Sequence, residues 1–179
     1  MGFFSFFKKQ DEFSQEAKND ADLELYAPVS GTIITLEDVP DLVISEKLIG
    51  DGIAFIPGSD SIVAPCDGTI TRLIASNNAF AIRSENGIEI YVTYGIGTDS
   101  FTGKGLSSHV KIGDKVRMGD RIISINAEEA TQSLESNVTS MIAIKTSADI
   151  AKVIVSSGKC VAGKSPCAWV ILKSNKESE

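Results

Sequence analysis

A chain of 179 residues, 42% of them hydrophobic, is long enough to close one ordinary globular core. Its net charge of −7 leaves no basic stripe to neutralise phosphates and argues against nucleic acid as a partner. Three scattered cysteines (Cys66, Cys160 and Cys167) and a single histidine lack metal-ligand spacing, so no metal, cofactor or disulfide is expected, and reduced thiols point to a cytoplasm.

Residues 1–22 differ from everything after them. Phe3, Phe4, Phe6 and Phe7 stand beside Lys8 and Lys9, and a polar stretch follows. Such a segment is either an amphipathic strip that rests on a membrane face or a flexible terminus, and both readings stand. It is too short and too polar beyond Phe7 for a secretory signal. No apolar run in the chain reaches the roughly 18 residues that cross a bilayer.

One domain is expected over residues 23–173, with a polar tail at 174–179. Leu23-Glu24-Leu25-Tyr26 alternates and Gly31 to Leu36 is β-branched, so both read as strands, and Glu37 to Asp41 breaks the second. Ala27-Pro28-Val29-Ser30-Gly31-Thr32-Ile33 is echoed by Ala64-Pro65-Cys66-Asp67-Gly68-Thr69-Ile70, and Gly113-Asp114-Lys115-Val116 by Gly119-Asp120-Arg121-Ile122. Repeated Pro and Gly corners between short strands suit a sheet folded back on itself. Arg72 to Gly95 carries a hairpin signal, with apolar runs on either side of Ser84-Glu85-Asn86-Gly87, where Asn-Gly tolerates positive φ. That hairpin brings Asn77 to Phe80 near Tyr91 to Tyr94. Leu134 to Ser140 reads as polar and irregular, Met141 to Ile144 as a strand, Ala148 to Val155 as a short helix, and Val161 to Leu172 as a closing strand.

From about Leu25 to Leu172 the chain resembles the glucose-type enzyme IIA of the bacterial phosphoenolpyruvate-dependent sugar phosphotransferase system. The resemblance rests on the first Ala-Pro corner, Glu37-Asp38-Val39-Pro40-Asp41, Glu46 to Gly52, Val63 to Ile70, and Gly103-Lys104-Gly105. It implies an all-β fold, an antiparallel β-sandwich or distorted barrel with at most short helices. It also implies two working histidines, in Asn-His-Ala-Phe and Val-His-Phe-Gly segments, and this chain holds Asn78 and Thr93 at those positions. Neutral imidazole is nucleophilic and its phosphoramidate is labile, whereas an amide has no usable nucleophile and a threonine phosphoester would hold its phosphate. By the same resemblance Ser76 keeps a hydroxyl where the family has threonine, Gly97 replaces an aspartate, and Thr102 replaces a lysine.

The resemblance further implies a docking ring of Leu42, Val43, Ile44, Leu48, Ile49, Phe80 and Tyr91, with Asp41 at its rim. The implied partners are the histidine phosphocarrier protein, sugar permease IIB and IIC domains, or regulated metabolic enzymes. On this reading the chain keeps protein recognition without an intact catalytic centre and works in the cytoplasm, with contact at the inner membrane face through its phenylalanines. Two alternatives stand beside it. One is an active phosphocarrier accepting on Thr93, Ser76 or His109. The other is a lipoyl- or biotinyl-type carrier, although the hairpin tip Glu85-Asn86-Gly87 lacks the lysine that such a domain displays.

Overall fold

The two Ala-Pro corners hold one another. In a computed structural model, which describes residues 15–174, the Tyr26 N–H donates to the Pro65 carbonyl at 2.9 Å and the Val63 N–H to the Pro28 carbonyl at 2.9 Å. Each corner alanine then makes the same pair of bonds to a later loop. The Ala27 N–H donates to the Ser165 carbonyl and its own carbonyl accepts from Gly163. The Ala64 N–H donates to the Asp120 carbonyl and its carbonyl accepts from Gly119. The loops meet so closely that a Cβ on Gly163 would stand 3.2 Å from the Gly119 Cα. The sequence echo is therefore a structural repeat. Proline fixes φ at each corner and removes an N–H that a strand would need.

A strand leaves each corner. β2 (Gly31–Ile34) follows the first and pairs with β13 (Gly158–Cys160), while β5 (Gly68–Leu73) follows the second and pairs with β9 (Lys115–Val116). These lie in an eight-stranded antiparallel sheet of order β13-β2-β3-β11-β7-β6-β5-β9. Its other members are β3 (Gly50–Pro57), β6 (Ala79–Arg83), β7 (Glu89–Ile96) and β11 (Ser136–Ile144). Two three-stranded sheets complete the sandwich. One is β1 (Leu23–Tyr26), β14 (Pro166–Leu172) and β12 (Ile150–Val155); the other is β4 (Ser61–Val63), β10 (Arg121–Ile125) and β8 (Leu106–Ser108). Among the described residues helix is confined to single turns, α1 (Leu42–Ser45) and α2 (Ala127–Ala130), each next to a 3₁₀ turn, and to residues 15–19. The described sheets form a sandwich and not a closed barrel.

Ile53, Phe55, Phe80, Ile82, Ile90 and Val92 of the large sheet meet Leu25, Val170, Ile62 and Ile123 from the small ones, all 2% exposed or less. Burying each such side chain contributes about 1.5–3 kcal/mol. The hairpin forms as expected: the Ser84 N–H donates to the Ile88 carbonyl at 2.9 Å, and Gly87 takes φ 84° in the turn.

Two expectations are corrected. Ala148 to Val155 holds no helix: Ile150–Val155 is β12, paired along β14, where its β-branched residues find a partner that a helix would forgo. Ser136 to Ser140 is not irregular but begins β11, a central strand between β3 and β7. Its hydroxyl residues Thr139 and Ser140 are buried, and burial on both faces removes the alternation that marks a half-exposed strand.

Phe3, Phe4, Phe6, Phe7, Lys8 and Lys9 lie outside the described residues, as do residues 175–179 of the tail. At the described edge, the Lys18 ammonium lies 4.4 Å from the Trp169 ring centroid, and the Trp169 indole donates to a Glu24 carboxylate oxygen at 2.8 Å. Among the described residues no helix is long and apolar enough to cross a membrane.

Candidate functional site

The outward face of the large sheet is unusually short of bulk. Strand alternation sends Ile90, Val92 and Tyr94 of β7 into the core and turns Tyr91 and Thr93 the other way. Cross-strand register then sets the floor. Thr93 lies opposite Ala79 on β6 and Ser140 on β11, and Ser140 lies opposite Ala54 on β3; Tyr91 lies opposite Ala81 and Ile142, and Ile142 opposite Gly52. A shallow strip of Ala, Ser, Thr and Gly results.

One side of this strip is covered by the connection from β2 to β3. Leu36, Val39 and Ile44 from that lid bury against Ala54, Ile96 and Ile142, forming a small second core with Ile49 partly enclosed. Asp41 caps α1, accepting from the Val43 and Ile44 N–H groups at 2.9 and 3.2 Å. The cap points the helical turn so that Leu42, Val43 and Leu48 remain 75%, 45% and 54% exposed. At the lid's far end Lys47 takes φ 52° and bridges Glu37 at 2.9 Å and Asp51 at 3.2 Å.

Positions 78 and 93 come together. Asn77 at φ 57° makes the turn from β5 into β6, the Asn78 carbonyl accepts from the Tyr94 N–H at 2.7 Å, and residue 79 faces Thr93. The Asn78 side chain is buried and spent: its amide nitrogen donates to the Tyr94 carbonyl at 3.3 Å, and its oxygen accepts from the Ser76 hydroxyl. The loop carrying Thr102 runs close by, since a Cβ on Gly103 would meet the Ser76 carbonyl at 2.6 Å. Gly97 has φ 73°, and the place its Cβ would take is filled by Glu135, whose Cγ and Oε1 lie 2.5 and 3.0 Å away.

Phe80 and His109 stand elsewhere. Phe80 is 0% exposed and packs in the main core, because it lies one residue along from the outward-facing Ala79. That corrects its expected place on the exposed ring, and Ile44 at 9% is likewise an anchor of the lid more than surface. His109 follows β8 in a different sheet, exposed, with Nε2 2.6 Å from the Ser124 hydroxyl. Among the described residues no cluster of His, Cys, Asp or Glu could hold a metal ion. Burial pushes the Cys66 thiol up to about 12, with Asp67 adding to the effect, so it is not a nucleophile at neutral pH.

Sequence reasoning passed over two features. Glu89, 7% exposed, accepts from the Thr71 hydroxyl and pairs with Arg72 at 3.4 Å and Arg83 at 3.2 Å, closing one end of the strip with charge. The hairpin register, which places Arg83 opposite Glu89, was the signal available. Glu135 had no local signal, because it reaches Gly97 from a distant part of the chain.

Fold and face together define an antiparallel sandwich domain of the sugar phosphotransferase type, with a small-residue strip under an apolar lid. Residues 23–149 match the sequence pattern of the family described as phosphoenolpyruvate-dependent sugar phosphotransferase system, EIIA 1, and the chain belongs to that family. It is 37% identical over 153 residues to the glucose-specific EIIA component of Haemophilus influenzae, covering 86% of this chain and 92% of the relative. It is 39% identical to that of Buchnera aphidicola from Acyrthosiphon pisum, covering 85% and 94%. The glucose permease IIA from Mycoplasma capricolum superposes with a TM-score of 0.76 at 31% identity, covering 82% of this chain and 94% of that one. The N-acetylglucosamine-specific EIICBA component of Klebsiella pneumoniae matches over 22% of its own length, so there a similar unit forms part of a longer chain.

Proposed function

We propose that this chain is an EIIA-type protein that has given up phosphoryl acceptance at positions 78 and 93 and acts by binding other proteins in carbohydrate uptake. The observation carrying this reading is the state of Asn78, a buried amide with both ends hydrogen-bonded. The amide nitrogen's lone pair is delocalised into its carbonyl, so Asn78 has no usable nucleophile for a phosphoryl group, and a threonine hydroxyl at position 93 attacks only when a base activates it. What survives is the lid, whose exposed Leu42, Val43 and Leu48 border the strip bearing Tyr91. An apolar patch with a polar rim suits a transient interface. The partners on this reading are phosphotransferase-system proteins, permease IIB and IIC domains first, because fused relatives carry the three units in one chain. The setting is the cytoplasm, and on this reading the segment of residues 1–22 contacts the inner membrane face through Phe3, Phe4, Phe6, Phe7, Lys8 and Lys9.

Incubation with phosphoenolpyruvate, enzyme I and the histidine phosphocarrier protein tests it. No acid-labile phosphate is expected on the chain. Stoichiometric uptake would overturn the reading, and mass spectrometry would then locate the acceptor among Thr93, Ser76 and His109.

A further inference from the structure

The chain's single histidine stands on the small β4-β10-β8 sheet, in a different sheet from the strip. Strand alternation buries Ile123 and Ile125 of β10 and turns Ser124 and Asn126 outward. Cross-strand register sets Ser107 of β8 opposite Ser124, and the Asn126 N–H donates to the Gly105 carbonyl at 2.7 Å. His109, two residues beyond Ser107, brings its Nε2 to 2.6 Å from the Ser124 hydroxyl. The backbone that presents it is fixed on both sides. The His109 N–H donates to the Ile122 carbonyl at 2.8 Å, and the Ser108 hydroxyl donates across it to the Val110 carbonyl at 2.8 Å. Beside Ser124 opens a cavity of about 380 Å³, lined also by Ser107, Asn126 and Glu129.

We infer that Ser124 is a nucleophile, activated by His109, for acyl transfer from small neutral esters. A serine hydroxyl alone is a weak nucleophile, and an imidazole within hydrogen-bond reach supplies the base it needs. Protonated on Nδ1, His109 takes the Ser124 proton at Nε2 as the serine oxygen adds to the ester carbonyl carbon. The bond to the leaving alcohol then breaks, and the alcohol oxygen takes that proton from Nε2. Water repeats the sequence on the acyl-serine, releasing the carboxylic acid and restoring both side chains. Donors for the carbonyl oxygen stand nearby on the same face. The Asn126 side-chain oxygen caps α2, accepting from the Glu129 N–H at 3.4 Å, which leaves its NH₂ group to donate. The Ser107 hydroxyl offers a second donor across the strand pair. Glu129 is the one charged side chain among the described lining residues, so it disfavours an anionic acyl group, and the volume suits a short chain. None of these residues belongs to the strip or the lid, so the inference stands apart from the function proposed above.

The test treats the full chain at neutral pH with a fluorophosphonate probe and, separately, with p-nitrophenyl acetate. A single phosphonyl adduct is expected, and mass spectrometry should place it on Ser124. With the ester, a burst of nitrophenolate should precede slower turnover. Ser124→Ala should lose both signals, and His109→Gln should slow the labelling at least about a hundredfold. Free imidazole should restore part of the labelling of a His109→Ala chain, which a merely structural histidine would not allow. No adduct, an adduct on another residue, or a His109→Gln chain labelled at the parent rate overturns the assignment. A nitrophenolate burst that survives Ser124→Ala does the same, since it then comes from acylation elsewhere.

Discussion

The two faces of the large sheet are built from the same strands and serve opposite ends. Inward, Phe80, Ile90 and Val92 are wholly buried and interlock with both small sheets. Outward, one residue along each strand, stand Ala79, Tyr91 and Thr93, over a strip that needs little bulk. Fold stability is invested in the first face, so side chains on the second can change without unfolding the molecule. A family member can therefore keep its architecture after its site has changed chemistry.

The largest expected effect breaks that comparison at its inner face. Phe80→Ala should cost about 3–5 kcal/mol in urea denaturation, whereas Thr93→Ala, next to it across the strands, should cost under about 1 kcal/mol. A Phe80→Ala chain of full stability would return Phe80 to the docking surface.

The second prediction tests the proposed loss of phosphoryl acceptance on the outer face. Asn78→His with Thr93→His should regain some acid-labile phosphate from the histidine phosphocarrier protein, with a stability loss of about 1–3 kcal/mol from the buried Asn78 hydrogen bonds. Adding Gly97→Asp to that pair should not help. Position 97 has φ 73°, where a non-glycine residue costs about 1 kcal/mol, and Glu135 already occupies the space. Glu135→Ala should make the aspartate useful, and phosphate uptake by the triple and quadruple variants decides the matter.

Leu48→Asp sharpens the comparison from the lid. It should weaken binding to a permease IIB domain about tenfold by calorimetry, with a melting temperature within about a degree of the parent, since Leu48 is half exposed. A large thermal loss would make the lid part of the core instead.

The smallest effect is on the tie that closes the lid. Its hydrogen bond with Lys47 holds the Glu37 carboxyl below its ordinary value of 4.5, and Glu37 in turn holds Lys47 above 10.5. A lowered carboxyl contributes fully above its unfolded value and is lost as pH falls through the folded one. A raised ammonium contributes below its unfolded value and is lost as pH rises through the folded one. Lid amides should therefore exchange at a constant opening free energy between pH 5 and pH 10 and more readily below about pH 4. Unchanged protection at pH 3 would show that Leu36, Val39 and Ile44 hold the lid alone.

Much of this was written locally. Asn86-Gly87 needs only its own backbone freedom to turn the chain, and each Ala-Pro corner needs only a fixed φ, so the hairpin, the repeated corners and the all-β architecture are legible in the sequence. That Asn78 and Thr93 carry no imidazole is legible too, because a residue's chemistry does not wait on its neighbours. Other features depend on partners far along the chain. Which way Phe80 points follows from the register of β6 on β7, a one-residue parity that composition cannot state. Ile150–Val155 becomes a strand because β14 offers it an edge, and Ser136–Ser140 because β3 and β7 enclose it. Glu135 meets Gly97 only once the sandwich has closed, since long-range packing brings together residues that no local pattern connects.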